Sequence, residues 1–344
     1  MLQWPTERER HRKLLAAGVF LGLFGIVFLL LGGWCGWMLG HGQPFRRPWL
    51  WALDFIFKGS DGVARTRVWP RWILLAYWGT TVSSAIGGWQ TRFSRARSRI
   101  RPPPRTDNAK PGTQPDQQKV QSASLNMRRK FFHALATALF VPGIAIDPAF
   151  TSLAFSVAFA IFTFAEYARY FALYPIGASL HIFFSEFVDS RDKDSGPVIL
   201  SHFYLLTGCA GGLWLEGGGI KRFTGVLAIG VGDALASIMG KLFGRTRWAS
   251  LIGGDSNKTV EGSAVFVISI VFCAWLMRLV RVVDSFSVST PARRPCVLRL
   301  IVRWQLARYT LATSLTALLE ASSRQNDNVV IPLYMWSLQS LLNV

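Results

Sequence analysis

Acidic residues are scarce in this chain: 19 Asp and Glu stand against 38 Lys and Arg, a formal charge of +19 over 344 residues. Charge of either sign is thin as well, at 17% of residues, where a soluble domain carries about a quarter. Cysteine is sparse, and Cys35, Cys209, Cys273 and Cys296 have no metal-like spacing. Three of them sit in or beside apolar runs, where a thiol behaves as a small hydrophobe. His11, His41, His133, His181 and His202 are scattered. These absences leave neither a zinc site nor a Cys–His nucleophile supported. Alternating segments of about ten residues, the mark of a membrane barrel, are missing. So is the internal repeat that a transporter built from inverted halves would carry.

What is present is apolar sequence, and it comes in blocks. Hydrophobic residues make up 51% of the chain, and residues 14–39 contain no charge at all. About 20 apolar residues in a helix cross the roughly 30 Å hydrocarbon layer. Comparable runs follow at 68–88, 131–146, 150–173, 197–215, 223–240, 260–280, 297–319 and 329–344. Several are short or broken by Gly and Pro, so the sequence predicts an all-α polytopic transmembrane bundle of about 7–9 spans. The first run is longer than a signal-peptide core and no small-x-small site follows it, so it reads as a retained span.

The basic excess flanks these runs, the distribution expected of membrane orientation and not of a nucleic-acid surface. Its richest block, residues 92–130, carries Arg95, Arg97, Arg99, Arg101 and Arg105, three prolines (Pro102, Pro103, Pro104) and a polar tract. The chain therefore divides into an N-terminal membrane region (1–90) with two candidate spans, a basic disordered cytoplasmic linker (91–128) and a second membrane domain (129–344). With the linker in the cytoplasm, alternation puts the N-terminus, 189–194, 241–258 and 322–328 there too. Arg278, Arg281, Arg293 and Arg294 then fall on the opposite side, against the positive-inside pattern.

Residues 230–262 are the polar exception among apolar spans. Ionisable groups inside spans are costly, about 2.5–3.5 kcal/mol each on insertion scales, and are functional candidates. Asp233, Ser237 and Lys241 share one helical face, beside a small-residue stripe of Gly232, Ala236 and Gly240. On spacing alone, catalysis and a structural Asp233–Lys241 contact stand about even. The loop that follows adds Lys241, Arg245, Arg247 and Lys258, the pair Gly253–Gly254, and Lys258-Thr259 at the start of the next helix. Helix-start amides beside a lysine suit phosphate. This is no Walker A loop, because Asn257 precedes the lysine and no strand leads in. Glu320 and Gln325-Asn326-Asp327-Asn328 form a second polar cluster on the same side; 189–193 form a third that reads as an ordinary loop.

Together these residues resemble the dolichol kinase family of polyprenol kinases. The similarity rests on Gly232-Asp233-Ala-Leu-Ala236-Ser237-Ile-Met-Gly240-Lys241-x-x-Gly244, then Trp248 and Lys258-Thr259-Val-Glu261-Gly262. Arg129-Lys130-Phe-Phe-His133, Leu139-Phe-Val-Pro142-Gly, Glu166-Tyr167-x-Arg169-Tyr170, Leu318-Leu-Glu320-Ala and Gln325-Asn-Asp327-Asn328-x-x-x-Pro332-Leu add to it. It runs from about residue 128 to the C-terminus; residues 1–90 carry no matching motif, and the basic stretch 284–308 departs from the apolar connection expected.

The resemblance implies transfer of the γ-phosphate of CTP to the terminal hydroxyl of dolichol, giving dolichyl phosphate for protein glycosylation. It implies a multi-pass protein of the endoplasmic reticulum membrane with its active site facing the cytoplasm. Its partners are then the polyprenol, CTP and the bilayer, with no nucleic acid. Lys241, Arg245, Gly253, Gly254, Lys258, Thr259, Glu261 and Gly262 would bind CTP. Asp233 and Glu261 would hold a divalent cation, expected to be Mg2+, and Asp233 or Asp327 would act on the alcohol. The alternatives are a related lipid-alcohol kinase, a lipid cytidylyltransferase and a non-enzymatic transporter.

Overall fold

The computed structural model describes residues 9–39, 48–59, 68–99, 114–185, 198–215, 218–252, 258–280, 295–323 and 327–344. Twelve α-helices lie among them: α1 Glu9–Leu39, α2 Pro48–Lys58, α3 Trp69–Arg99, α4 Gln114–Ile146, α5 Pro148–Tyr170, α6 Gly177–Ser185, α7 Ser201–Trp214, α8 Ala234–Phe243, α9 Trp248–Ile252, α10 Val260–Leu279, α11 Pro295–Ser322 and α12 Asp327–Leu341. A 3-10 turn (Gly219–Phe223) and a π-helical stretch (Val226–Asp233) connect α7 to α8. No strand forms among the described residues, although an isolated antiparallel bridge joins Arg247 to Thr259. The all-helical expectation holds for the physical reason given: a helix satisfies its backbone groups internally, which a lipid environment requires.

Four helical stretches are long and apolar enough to cross a membrane: Lys13–Trp34, Pro148–Tyr170, Val226–Phe243 and Val260–Leu279. The other apolar runs form helices that are shorter or more polar. Lys130–Ile146, for example, is an apolar stretch within α4, and the first half of that helix is polar.

Two departures from the sequence reading concern the linker. Its ends are helical: α3 continues to Arg99 and α4 already begins at Gln114. Gln, Lys, Ser and Arg are acceptable helix formers, and each polar end extends an apolar helix that has already been nucleated. Residues 100–113, which hold the proline run, lie outside the described residues.

The chain forms two compact units. One comprises residues 1–77 and 160–199. In it α1 keeps most of its apolar side chains exposed, Leu21 and Leu29 among them, the pattern of a helix apolar all round. Arg71 is buried, donates to the Phe55 carbonyl and lies over the Phe55 ring, 4.0 Å from its centroid. Glu166 and Arg169, one helical turn apart on α5, form a buried ion pair, with Arg169 Nε donating to Glu166 Oε2 at 2.7 Å. Glu166 Oε1 also accepts the backbone amide of Ile199 at 2.8 Å.

The other unit comprises residues 78–159 and 200–344. The π-helical stretch is its centre: Val226–Gly230 are all buried. Around it pack α4, α7, α10 and α12. Glycines set these approaches. A Cβ on Gly232 would lie 2.7 Å from Ile270 and Phe266 of α10, and one on Gly230 would collide with Thr137 of α4. Pro142 lies inside α4 and has no amide to donate; one turn away Trp78 Nε1 donates to the Leu139 carbonyl at 2.8 Å.

Candidate functional site

The polar stretch takes its shape from a change of helical pitch. Eight residues, Val226–Asp233, are π-helical, and the α-form resumes at Ala234. Such widened turns recur at functional sites. Asp233 sits at this junction, its side chain 15% exposed. His133 of α4 lies beside it, with Nδ1 3.2 Å from Asp233 Oδ2, and that histidine is buried. The Asp233–Lys241 contact weighed from spacing is replaced by this one: Lys241 sits in the last turn of α8 and is exposed. Spacing along one helix could not reveal His133, because the partner arrives from α4.

After Gly244 the chain turns back and pairs with the start of α10. Trp248 N donates to the Lys258 carbonyl at 3.0 Å, and Val260 N to the Thr246 carbonyl at 3.0 Å. Glu261 ties the same turn, its carboxylate accepting Thr246 N at 3.0 and 3.3 Å. Trp248 Nε1 donates to Ser263 Oγ at 2.9 Å. Thr259 caps α10, its hydroxyl accepting Gly262 N at 3.2 Å. Ser263 N donates to the Thr259 carbonyl at 3.1 Å. The helix-start amides of Val260, Gly262 and Ser263 are thus engaged inside the protein. The cations at this loop turn outward, with Lys241, Arg245 and Arg247 exposed. Close packing makes the turn possible: a Cβ on Gly240 would lie 2.8 Å from Thr259 Oγ1, and one on Gly244 2.6 Å from Thr259 Cγ2.

Lys258 joins this loop to the far end of the chain. Its Nζ donates to Asp327 Oδ2 at 2.9 Å and to the Glu320 carbonyl at 2.6 Å, and lies 3.6 Å from Glu320 Oε1. Glu320 stands at the end of α11, beyond its apolar run, and Asp327 opens α12. Glu320 is 6% exposed. Glu320 Oε2 and Asp327 Oδ1 are buried without a hydrogen-bond partner among the described residues. Burial pushes the Glu320 carboxyl up to about 7, against the pull of Lys258, and the negative charges of Asp233 and Asp327 add to the rise. All four ionisable groups therefore share one neighbourhood.

Of the residues expected from sequence, Asp233, Lys258, Thr259, Glu261, Gly262 and Asp327 gather around the start of α10. Lys241 and Arg245 lie on its exposed loop side, and Gly253 and Gly254 lie outside the described residues. His133 and Glu320 join the cluster without having been named as site residues. For Glu320 a signal existed, a carboxylate ending an apolar run. Among the described residues no group of three or more His, Cys, Asp or Glu is arranged to hold a metal ion.

The dolichol kinase family model matches residues 12–209. That match begins in the N-terminal region, where the sequence offered no recognisable motif. Dolichol kinase sec59 of Schizosaccharomyces pombe is 33% identical over 325 residues, 92% of this chain and 54% of the relative. The Homo sapiens dolichol kinase is 33% identical over 334 residues, 93% of this chain and 52% of the relative. Dolichol kinase EVAN of Arabidopsis thaliana is 29% identical over 330 residues, 95% of this chain and 49% of the relative. The chain thus spans about half the length of these relatives. No solved structure matches it.

Proposed function

The chain belongs to the dolichol kinase family, and we propose that it transfers the γ-phosphoryl group of CTP to the terminal hydroxyl of dolichol. The observation that carries this reading is the convergence on Lys258 of the loop at the start of α10, the end of α11 and the start of α12. A lysine and two carboxylates at the ends of apolar helices suit a reaction between a bilayer-confined alcohol and a water-soluble nucleotide. Seven to nine segments would cross the endoplasmic reticulum membrane, with this loop on its cytoplasmic face, and the product would serve protein glycosylation.

Phosphoryl transfer depends mainly on positioning and charge neutralisation. Lys241, Arg245 and Lys258 supply the cations for the triphosphate. The alcohol oxygen bonds to the γ-phosphorus as the bond from that phosphorus to the β-phosphate bridging oxygen breaks, and cytidine diphosphate leaves. The alcohol proton passes to Asp233 or Asp327. Magnesium takes one or two carboxylates together with substrate phosphates, so the lack of a ready three-ligand cluster does not conflict with it. It would neutralise phosphate charge, with Asp233 as its protein ligand. Glu261 could join through lone pairs that its bond to the Thr246 amide leaves free.

The test is transfer of label from γ-labelled CTP to dolichol by membranes containing the full chain. Asp233→Asn should abolish transfer while the protein still inserts, and normal turnover by that variant would end the assignment. Release of pyrophosphate in place of cytidine diphosphate would convert the reading to a lipid cytidylyltransferase.

A further inference from the structure

Two buried carboxylate oxygens beside Lys258 have no hydrogen-bond partner among the described residues: Glu320 Oε2 and Asp327 Oδ1. Native proteins rarely leave such atoms unpaired, and an unpaired one calls for a ligand or another explanation. Glu320 is more than nine-tenths buried, whereas Asp327 and Lys258 keep 22% and 31% of their side chains exposed. The cluster therefore opens at the rim formed by Lys258 and Asp327.

We propose that Glu320 and Asp327 form the subsite for the acceptor hydroxyl, and that Lys258 covers it until a phosphate draws the amine away. This inference rests on the kinase reading and deepens it, by choosing Asp327 over Asp233 for the alcohol and adding Glu320 as the residue that positions it. A hydroxyl has one proton to give and lone pairs to accept with, so the Asp327 carboxylate can accept from it while a protonated Glu320 carboxyl donates to its oxygen. In the structure Lys258 neutralises Asp327 at 2.9 Å. When Lys258 turns to a phosphate, Asp327 loses its counter-ion and becomes the better proton acceptor. The O–H bond of the alcohol then breaks to Asp327 Oδ1 as its oxygen bonds to the γ-phosphorus of the nucleoside triphosphate, and the nucleoside diphosphate departs with the electron pair.

The backbone is placed for this role. The Asn328 carbonyl packs so closely on Gly208 of α7 that a Cβ there would collide with it. The first turn of α12, which carries Asp327, is therefore seated against another helix. Sites on such braced elements hold their geometry better than sites on loops.

The experiment combines kinetics with a photoreactive polyprenol that carries a diazirine beside its free hydroxyl, on the full chain in membranes. Glu320→Gln should raise the polyprenol KM about ten-fold, because an amide N–H donates more weakly than a carboxyl O–H, and leave the CTP KM unchanged. Asp327→Asn should lower kcat about 100-fold while the probe still crosslinks. In the unsubstituted chain the crosslinks should map to the end of α11 and the start of α12. An equal rise in both KM values for Glu320→Gln, or crosslinks that map elsewhere, would overturn the subsite. If the unsubstituted chain transfers no phosphate but crosslinks there, and Glu320→Gln loses the crosslink, the subsite stands and the kinase reading falls. Because the crosslink map needs no variant, the proposal stays testable if Glu320→Gln fails to fold.

Discussion

Two buried ionic clusters, one in each compact unit, are built on opposite plans. Glu166 and Arg169 lie one helical turn apart and close on each other, and the carboxylate also takes the Ile199 amide. Around Lys258 the partners come from 62 and 69 residues away, and two carboxylate oxygens stay unpaired. A buried ion pair whose hydrogen bonds are met holds a fold together, and removing one member leaves an uncompensated charge. A cluster with unmet acceptors stores the capacity to bind something else. Substitutions should separate the two by what they change: stability at the first, substrate-specific kinetics at the second.

The sharpest break should come at Lys258. Lys258→Ala removes the cation and leaves Asp327 and Glu320 without it, so kcat/KM should fall at least about 100-fold, the scale seen when one charge-stabilising donor is lost. The rise in KM should be larger for CTP than for the polyprenol. Steady-state assays varying each substrate in turn would check this, and equal effects would move Lys258 into the structural class with Arg169.

Glu166→Gln comes next, and its effect should be on the fold. Breaking a buried pair costs about 3–5 kcal/mol, so the variant should aggregate at lower temperature in detergent while the protein that remains folded keeps both KM values. A selective change in the CTP KM would erase the distinction between the clusters.

Gly232→Ala should cost about 1–3 kcal/mol, because its Cβ would press on Phe266 and Ile270. Thermal stability should fall, and with it the seating of Asp233 one residue on. Glu261→Gln should do least. It weakens the Thr246 clasp at an exposed turn and should raise the CTP KM only several-fold. Loss of all activity would instead favour Glu261 as a metal ligand.

Much of this was legible in the sequence. Long charge-poor runs announced helices, because only a helix satisfies every backbone group over such a length in lipid. The motif residues from Gly232 to Gly262 marked the candidate site, since ionisable groups within apolar segments are costly and are functional candidates. The partner of Asp233 was not legible, because helical spacing ranks neighbours along one helix and cannot see α4. The helix-start amides of α10 read from sequence as open to phosphate, but the returning loop takes the Val260 amide and Thr259 takes those of Gly262 and Ser263.

The sequence by itself thus determined an all-helical chain, its apolar segments and the one stretch where charge concentrates. These follow from local composition and from the cost of burying unpaired polar groups. Only the tertiary structure decided which charges meet. It set His133 beside Asp233 and brought Glu320 and Asp327 to Lys258. It also left two carboxylate oxygens unpaired, since the packing of helices distant in the chain fixes which side chains face one another.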